Sequence, residues 1–525
     1  MEHNLRVYNT LTRQKESFKT VVPGKVRMYL CGPTVYKPSH LGHMVGPVIF
    51  DTVKRYLTYL GYEVKFVVNI TDVDDKLIVE SQKQGTTVSA LAERITSDYI
   101  ENLRRLNVTS IDEMPRATHH IADIIEIIQG LIAKQFAYPA NGDVYFDVTR
   151  DDDYGKLCNR DPEQLEAGKR VEVSEKKRSP GDFALWKSAK PGEPFWDSPW
   201  GRGRPGWHIE CSAMSMKLLG KTLDIHGGGL DLQFPHHENE LAQSESYNDC
   251  TFVNYWMHNG LMKIEGEKVS KTNEEKQKTK ATLVVSEAFR KHAPETIRFL
   301  LLSTQYRRPI DYSEKHVEEI RRGLDGFYRF FERLERITKK SFYALEAPTV
   351  RRPDSPGDPS APFVAEFVGL WSKFLEHMDD DFNTGGAIGV LYELLSGLNR
   401  FADVRELETG KGTVEAMRAF ERGVLYLKEL TQLLGMFDKP QEKPKGDDDN
   451  QEVIKGVKQL LVDLKAEERG ANKVTLGDLI QLLIDLRAEA RKAKNFAVGD
   501  QIRKRLGELG ITLEDRPTGT LWRKE

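Results

Sequence analysis

The spacing of apolar residues along this chain changes period several times, and each change marks a different piece of architecture. Around Val26, Met28 and Leu30 the apolar positions alternate, the period of a strand. Val45, Val48, Ile49, Val53, Leu57 and Leu60 then recur at helical spacing, and a second strand is predicted over Val64 to Ile70. Strand, helix and strand in this order predict a βαβ unit, and so a parallel sheet. A further helix is predicted over about Val88 to Leu106.

The pattern then shifts. Ile121, Ile124, Ile125, Ile128, Leu131 and Ile132 predict an amphipathic helix, followed by a hairpin-like stretch from Asp143 to Val148 and polar loops through Ser179-Pro180-Gly181. This middle part reads as an insertion. The α/β pattern resumes with a strand from Thr222 to His226 that runs into Gly227-Gly228-Gly229. A helix from about Pro235 and a strand from Phe252 to Met257 follow. Beyond Ser313 the spacing is helical: Ile320, Leu324, Phe327, Phe331, Leu334 and Ile337, then Phe363, Phe367, Leu370, Trp371, Phe374 and Leu375 after a loop at 352–362. Such aromatic stripes predict a bundle core. Lys439 to Asn450, rich in Pro, Lys and Asp, reads as a linker. Helices near Leu476 to Ala493 and Phe496 to Leu509 and a short hairpin (Ile511 to Leu513, Thr520 to Trp522) close the chain.

The expected fold class is α/β: a Rossmann-like doubly wound catalytic domain with an insertion, then a helical bundle and a small C-terminal domain. The expected boundaries are 1–118 and 208–318 for the two halves of the catalytic domain and 119–207 for the insertion. The bundle is placed at 319–438, the linker at 439–455 and the last domain at 456–525. With 525 residues the chain exceeds one ordinary domain.

Composition narrows the function classes. A mean hydropathy of −0.52 and 30% charged residues, with no apolar run near the roughly 20 residues a span needs, predict no membrane segment. Cys31, Cys158, Cys211 and Cys250 are dispersed, which fits a reducing cytoplasm better than a disulfide scaffold. A net charge of −3 leaves no overall basic footprint, so any nucleic acid must be met by local patches.

Two stretches carry phosphate chemistry. His40-Leu41-Gly42-His43 lies between the first strand and the first helix, where free backbone N–H groups and the helix dipole favour anions. Lys268-Val269-Ser270-Lys271-Thr272 places two lysines and two hydroxyls in one polar loop, able to neutralise charge on a leaving pyrophosphate. Either stretch alone is compatible with a solvated turn; the two together point to a nucleotide. A third set is metal-like. Cys31 ends the first strand, Cys211 lies in Trp207-His208-Ile209-Glu210-Cys211, and His236 and Glu240 are four apart. Two thiolates, an imidazole and a carboxylate make a tetrahedral zinc set, with His237 competing with His236.

The pair HLGH and KVSKT resembles the two signatures of class I aminoacyl-tRNA synthetases. Cys31-Gly32-Pro33-Thr34-Val35-Tyr36, Asn69 to Lys76, Gly206 to Met214, Asp224 to Gly229, Phe234 to Ser244 and Met378 to Thr384 are similar to the cysteinyl-tRNA synthetase family, from near the N-terminus to Trp522. The resemblance implies a two-step reaction: cysteine and ATP, with Mg2+, give cysteinyl-adenylate and pyrophosphate, and the cysteinyl group passes to the 3′ end of tRNA(Cys). It implies one Zn2+ on Cys31, Cys211, His236 and Glu240, which selects the substrate thiolate over serine. It implies that His40, His43, Lys268 and Lys271 stabilise the transferring phosphates, with Gly32, Thr34, Gly229 and Asp231 also on the nucleotide. Cys31, Thr34, Thr71 and Trp207 line the amino-acid pocket. Arg487, Arg491, Lys492, Lys494, Arg503, Lys504 and Arg505 concentrate positive charge in the last helices and Trp522 could stack on a base, while any one of them alone reads as part of a solvated helix face anchored by Leu479, Leu483, Leu486 and Phe496; as a domain, the resemblance implies anticodon recognition. A cytoplasmic monomer is expected. KVSKT departs from the family's KMSKS, and Asn273 to Lys280 from its usual continuation. Two alternatives are a related ligase joining cysteine to an amino sugar in mycothiol synthesis and a non-catalytic zinc RNA-binding protein.

Overall fold

The computed structural model describes residues 4–159, 177–264, 284–351, 362–440, 447–464, 476–516 and 519–524. It forms two compact units, Met1–Gln441 and Glu442–Glu525.

The first unit opens with a feature the periodicity does not predict, an antiparallel hairpin of β1 (Arg6–Asn9) and β2 (Gln14–Ser17). The βαβ unit follows as β3 (Lys25–Leu30), α1 (Leu41–Tyr59) and β4 (Glu63–Val68), with β3 and β4 parallel and Met28 opposite Phe66. Next come α2 (Asp75–Lys83), α3 (Val88–Arg105) and α4 (Ile121–Ala133). β5 (Ala137–Ala140), β6 (Asp143–Phe146), β7 (Phe183–Ser188) and β8 (Gly203–Pro205) make a separate antiparallel sheet in that order, inside the expected insertion. The chain then returns through α5 (Trp207–Leu219) to β9 (Leu223–Gly229), α6 (Glu238–Asn248) and β10 (Val253–Asn259).

The main sheet runs β10-β9-β3-β4, all parallel. The winding reverses between β3 and β9. A crevice opens at such a reversal, outside the carboxyl ends of the strands. Both faces are covered: Val26, Met28 and Leu30 pack with α1 on one side, and Tyr29 and Val67 pack with Cys211 and Met214 of α5 on the other. Strands buried on both faces read as near-continuous apolar runs.

Helix α5 has no apolar stripe because it is not a surface helix. Ile209 and Ala213 join the core of the inserted sheet, while Cys211 and Met214 join the main sheet. A helix enclosed on two sides loses the 3.6-residue alternation that would announce it.

Beyond β10 come β11 (Met262–Ile264), α7 (Val285–Lys291), α8 (Pro294–Leu302) and β12 (Ile310–Tyr312), with β11 and β12 in parallel register. The bundle is α9 (Glu314–Thr338), α10 (Pro362–Asp379), α11 (Thr384–Val404) and α12 (Val414–Leu433). Ser313 caps α9 by accepting the His316 N–H. Val317, Ile320, Leu324, Phe327, Phe331 and Leu334 are buried at helical spacing, and Phe331 stacks on Phe342 at 3.9 Å.

The second unit holds α13 (Asp447–Asp463), α14 (Leu476–Lys492), α15 (Phe496–Glu508) and a hairpin of β13 (Ile511–Arg516) and β14 (Gly519–Lys524). Much of the stretch expected to be linker, 439–455, is therefore helical from Asp447. Leu479, Leu483, Ile502, Leu506 and Ile511 form the core. Phe496, expected on the apolar face, is instead 61% exposed. Arg487, expected on a solvated or RNA-facing helix face, is buried and grips both oxygens of Asp515 at 2.6 and 2.7 Å, and Trp522 packs against the core. Among the described residues no helix is long and apolar enough to cross a membrane.

Candidate metal and nucleotide site

Cys31, Cys211, His236 and Glu240 converge beyond the end of β3, their ligand atoms all within 4.8 Å of one another. Cys31 is the first residue after β3, and its N–H donates to the Gly227 carbonyl of β9. Cys211 comes from the first turns of α5. His236 lies in the kinked turn Gln233–His237, and Glu240 follows in the first turn of α6. The two sulfurs are 3.7 Å apart. Two thiolates on one tetrahedral zinc, each about 2.3 Å from it, sit about 3.8 Å apart. Glu240 Oε1 accepts from Cys31 Sγ at 3.2 Å and lies 2.9 Å from His236 Nε2. The donor set thus has the composition and spacing of a zinc site.

Its neighbours aim the donors. His226 Nε2 holds the other Glu240 oxygen at 2.8 Å, leaving Oε1 for the centre. His208 Nδ1 meets His236 Nδ1 at 2.9 Å, which leaves His236 Nε2 inward. His237 places its Nδ1 2.8 Å from His258 Nε2, and His258 Nδ1 meets Thr10 Oγ1 at 2.9 Å. A second grouping, Cys31 with His226, His237 and Glu240, also falls within 4.8 Å. It has one sulfur instead of two, so a thiophilic ion prefers the first.

The electrostatics suit a cation. Burial opposes charge on Glu240, yet His226 and His236 hold its carboxyl well below the usual range. Burial likewise opposes charge on His236, but Glu240 and Cys211 raise it to about 10. The thiols divide: burial and its neighbours push Cys31 up, while against burial the hydrogen bond from Cys31 and the charge of His236 bring Cys211 down to about 6.

The residues expected in the amino-acid pocket come from the ends of the same strands and the start of α5. Thr34 and Thr71 bridge in parallel beyond β3 and β4, with the Val35 N–H donating to the Thr71 carbonyl at 3.2 Å. Gly32 N–H donates to Asn69 Oδ1 at 2.8 Å. Trp207 is 37% exposed and stacks on His236 at 4.3 Å, so it is a wall of the site and not a core aromatic. A Cβ on Gly32 would lie 1.7 Å from the Asn69 carbonyl oxygen. Gly32→Ala is therefore expected to force β3 and β4 apart and destabilise the protein by about 1–3 kcal/mol. A denaturation midpoint equal to that of the parent protein would contradict this close approach.

His40 and His43 stand at the start of α1, as expected. Their rings stack at 3.6 Å, and the His40 N–H donates to His43 Nδ1 at 3.4 Å. Burial lowers both, His43 to about 4, so they are neutral at pH 7. Asp231 acts on His40 from across the crevice, at the end of the glycine run. In that run a Cβ on Gly228 would lie 2.6 Å from the His237 ring, so the backbone passes directly over the metal-side histidines. Lys268 and Lys271 lie outside the described residues. The chain leaves β11 at Ile264 and returns at Val284, which bridges to His40, and the Val285 N–H donates to the Ser39 carbonyl at 2.9 Å.

His237 was legible beside His236, whereas His208, His226 and His258 were not read as site residues. His226 and His258 lie on neighbouring strands in register, with His226 beside Trp256 and Gly228 beside His258, while His208 comes from α5.

Comparison with known proteins decides the family. The model described as "tRNA synthetases class I (C) catalytic domain" matches residues 17–322, the "DALR domain" residues 373–438, and the "Cysteinyl-tRNA ligase anticodon binding domain" residues 476–523. The chain is 42% identical to a cysteine–tRNA ligase of Brevibacillus brevis, over 99% of this chain and 100% of that one. The chain belongs to the cysteine–tRNA ligase family. A cysteine–tRNA ligase of Thermococcus gammatolerans is 41% identical over 99% of each chain. The fold resembles Mycobacterium tuberculosis methionyl-tRNA synthetase bound to methionyl-adenylate, with a TM-score of 0.57, 15% identity, and coverage of 78% of this chain and 90% of that one. The class I synthetase fold is thereby shown for this member of the family.

Proposed function

We propose that this protein activates cysteine with ATP and transfers it to the 3′ end of tRNA(Cys). The observation that carries the reading is the convergence of Cys31, Cys211, His236 and Glu240 beside the helix that His40 and His43 open, in a chain of this family. These four residues would hold the zinc, and zinc there supplies a preference for a thiolate ligand over a hydroxyl, the one-atom difference between cysteine and serine. An apolar pocket judging such near-isosteres by size separates them by only about a hundredfold.

The remaining chemistry belongs to this chain's own groups. Thr34, Thr71 and Trp207 enclose the amino acid, and the cysteine carboxylate attacks the α-phosphorus of ATP. The N–H groups and the two histidines at the start of α1 stabilise charge on that phosphorus. Lys268 and Lys271 neutralise the departing pyrophosphate; the bridge of Val284 to His40 supports this by returning their segment to the phosphate end of the crevice. Gly229 and Asp231 take the ribose. Mg2+ accompanies the ATP. The match of 476–523 to an anticodon-binding domain favours tRNA over an amino sugar as acceptor.

Neutral histidines that meet a triphosphate gain charge. Between about pH 5 and 7, ATP binding is therefore expected to take up protons, and the His43→Asn variant to take up fewer. Calorimetry in two buffers of different ionisation enthalpy measures this; equal uptake in both proteins would remove His43 from the phosphate site. For the activity itself, cysteine-dependent exchange of pyrophosphate into ATP is expected without tRNA, with serine giving essentially none. Exchange that is equal with serine would exclude selection at this site.

A further inference from the structure

The helix that brings Glu240 to the metal site opens with a second carboxylate that takes no part in the chemistry above. Glu238 is 1% exposed and stands in sequence midway between His236 and Glu240. Its carboxylate is met by the insertion. Oε1 accepts from the Gly155 N–H at 3.0 Å and the Leu157 N–H at 3.3 Å, and Oε2 accepts from the Cys158 N–H at 2.7 Å. Gly155 has a φ of +99°, a conformation that side chains disfavour and that lets nearby N–H groups converge on one anion.

The same five residues, Tyr154 to Cys158, hold the turn on either side of His236. Before it, Gln233 Nε2 donates to the Leu157 carbonyl at 2.8 Å. After it, the Tyr154 hydroxyl donates to Asn239 Oδ1 at 2.6 Å, and further along α6 Lys156 Nζ meets Glu245 Oε2 at 2.6 Å. The turn needs such support, because Phe234, two residues before His236, has non-helical φ and ψ of −139° and 132°. A regular helix fixes its side chains through its own main chain; an irregular turn relies on partners outside it. His208 orients the His236 ring, whereas the insertion holds the backbone that carries it.

We propose that Glu238 is a positioning residue for the metal site: it clasps residues 154–158 of the insertion to the turn that presents His236, and so sets how tightly the site holds its ion. The proposal rests on the metal-site reading given above. It makes the insertion a working part of the catalytic half, since a segment some 80 residues away in sequence fixes one of the four donors.

The test uses the full chain loaded with Zn2+, and the same protein carrying Co2+, whose visible absorption reports the arrangement of its ligands. Glu238→Gln keeps all four donors but turns an amide N–H2 group toward N–H donors that need an acceptor. Tyr154→Phe removes only the bond to Asn239 and is the milder change. Asp182→Asn is the control: Asp182 accepts from the Tyr138 hydroxyl and from the Val148 and Ser179 N–H groups, partners that all lie within the insertion. In Glu238→Gln, zinc affinity measured against a competing chelator is expected to fall about tenfold. The cobalt spectrum is expected to change, and KM for cysteine to rise while KM for ATP stays the same. Tyr154→Phe is expected to move zinc affinity and the cobalt spectrum in the same direction by less. Asp182→Asn is expected to lower the denaturation midpoint and leave both metal readouts as in the parent. Parent-like zinc affinity and cobalt spectrum in Glu238→Gln overturn the proposal; if that variant does not fold, the same result in Tyr154→Phe overturns it. An equal loss of zinc affinity in Asp182→Asn also overturns it, because any weakening of the insertion would then suffice. A parent protein that binds neither ion overturns the metal-site reading and the proposal together, whereas a parent that binds both with unaffected variants overturns the proposal alone.

Discussion

Serine in place of Cys211 is expected to leave the protein without stoichiometric zinc and without cysteine activation. The substitution exchanges one sulfur for an oxygen in a buried set whose sulfurs lie 3.7 Å apart. Zinc affinity is expected to fall at least about a hundredfold, since even residues that only orient a metal ligand are worth about ten- to a hundredfold. Cysteine-dependent pyrophosphate exchange should fall with it, and the preference for cysteine over serine should collapse. Metal analysis and exchange with both amino acids read the two effects together. Stoichiometric zinc with unchanged cysteine preference would remove Cys211 from the site. His226→Gln provides a graded companion: it keeps all four donors but releases the outer oxygen of Glu240, so a smaller loss of zinc is expected.

The largest effect on stability is expected from Arg298→Ala. Arg298 is fully buried in α8 and donates to Asp51 Oδ2 of α1 at 2.6 Å. It also donates to the carbonyls of Leu434 and Leu106 at 2.8 Å and of Asn107 at 3.0 Å, so it joins the catalytic half to the end of α12. Removing one partner of a buried pair leaves the other charge uncompensated, at a cost of about 3–5 kcal/mol. The pH dependence gives a second signature. Burial would raise Asp51, but Arg298 and Arg55 hold it below the usual carboxylate value. A carboxyl lowered on folding contributes stability that is present above its unfolded value, about 3.9, and lost as pH falls through the folded one. In the variant the burial penalty gains weight, so the gap between the two proteins should narrow toward pH 4. Urea denaturation at pH 7 and pH 4 measures both quantities. A difference under about 1 kcal/mol at pH 7, or a gap that widens in acid, would contradict the role of this pair.

What could be read from the sequence follows from where periodicity survives folding. α9 presents distinct faces to core and surroundings, so its helical alternation was visible, and β3, α1 and β4, buried on most sides, were legible from their dense apolar positions. α5 was not so marked, and α6, expected from about Pro235, was legible without an apolar stripe. α5 is enclosed by two cores, and α6 buries Glu238, Asn239, Glu240, Gln243 and Ser244, residues that ordinarily signal a surface. Glu238 is satisfied by the N–H groups of Gly155, Leu157 and Cys158, partners some 80 residues away that no local pattern reveals. The β1–β2 hairpin was lost among polar letters because Gln14–Ser17 offers no apolar alternation. At the site, HLGH and the four metal donors were legible as residue types at suggestive places. The histidines that orient them were not, because His226 of β9 meets Glu240 on α6 and His208 of α5 meets His236 only once the chain is folded. In the C-terminal unit, Arg487 and Phe496 exchanged their expected places: the cation is buried on Asp515 and the aromatic is exposed. Charge and apolarity are sound guides to burial only until a specific partner overrides them.

The central claim is that this protein charges tRNA(Cys) with cysteine, chosen by its sulfur. The most direct test is ATP-dependent charging of a tRNA(Cys) transcript with labelled cysteine in the presence of excess serine. Charging with cysteine that serine does not suppress, and no seryl-tRNA, is the predicted result. Charging with serine, or cysteine-dependent pyrophosphate exchange with no charged tRNA, would contradict it.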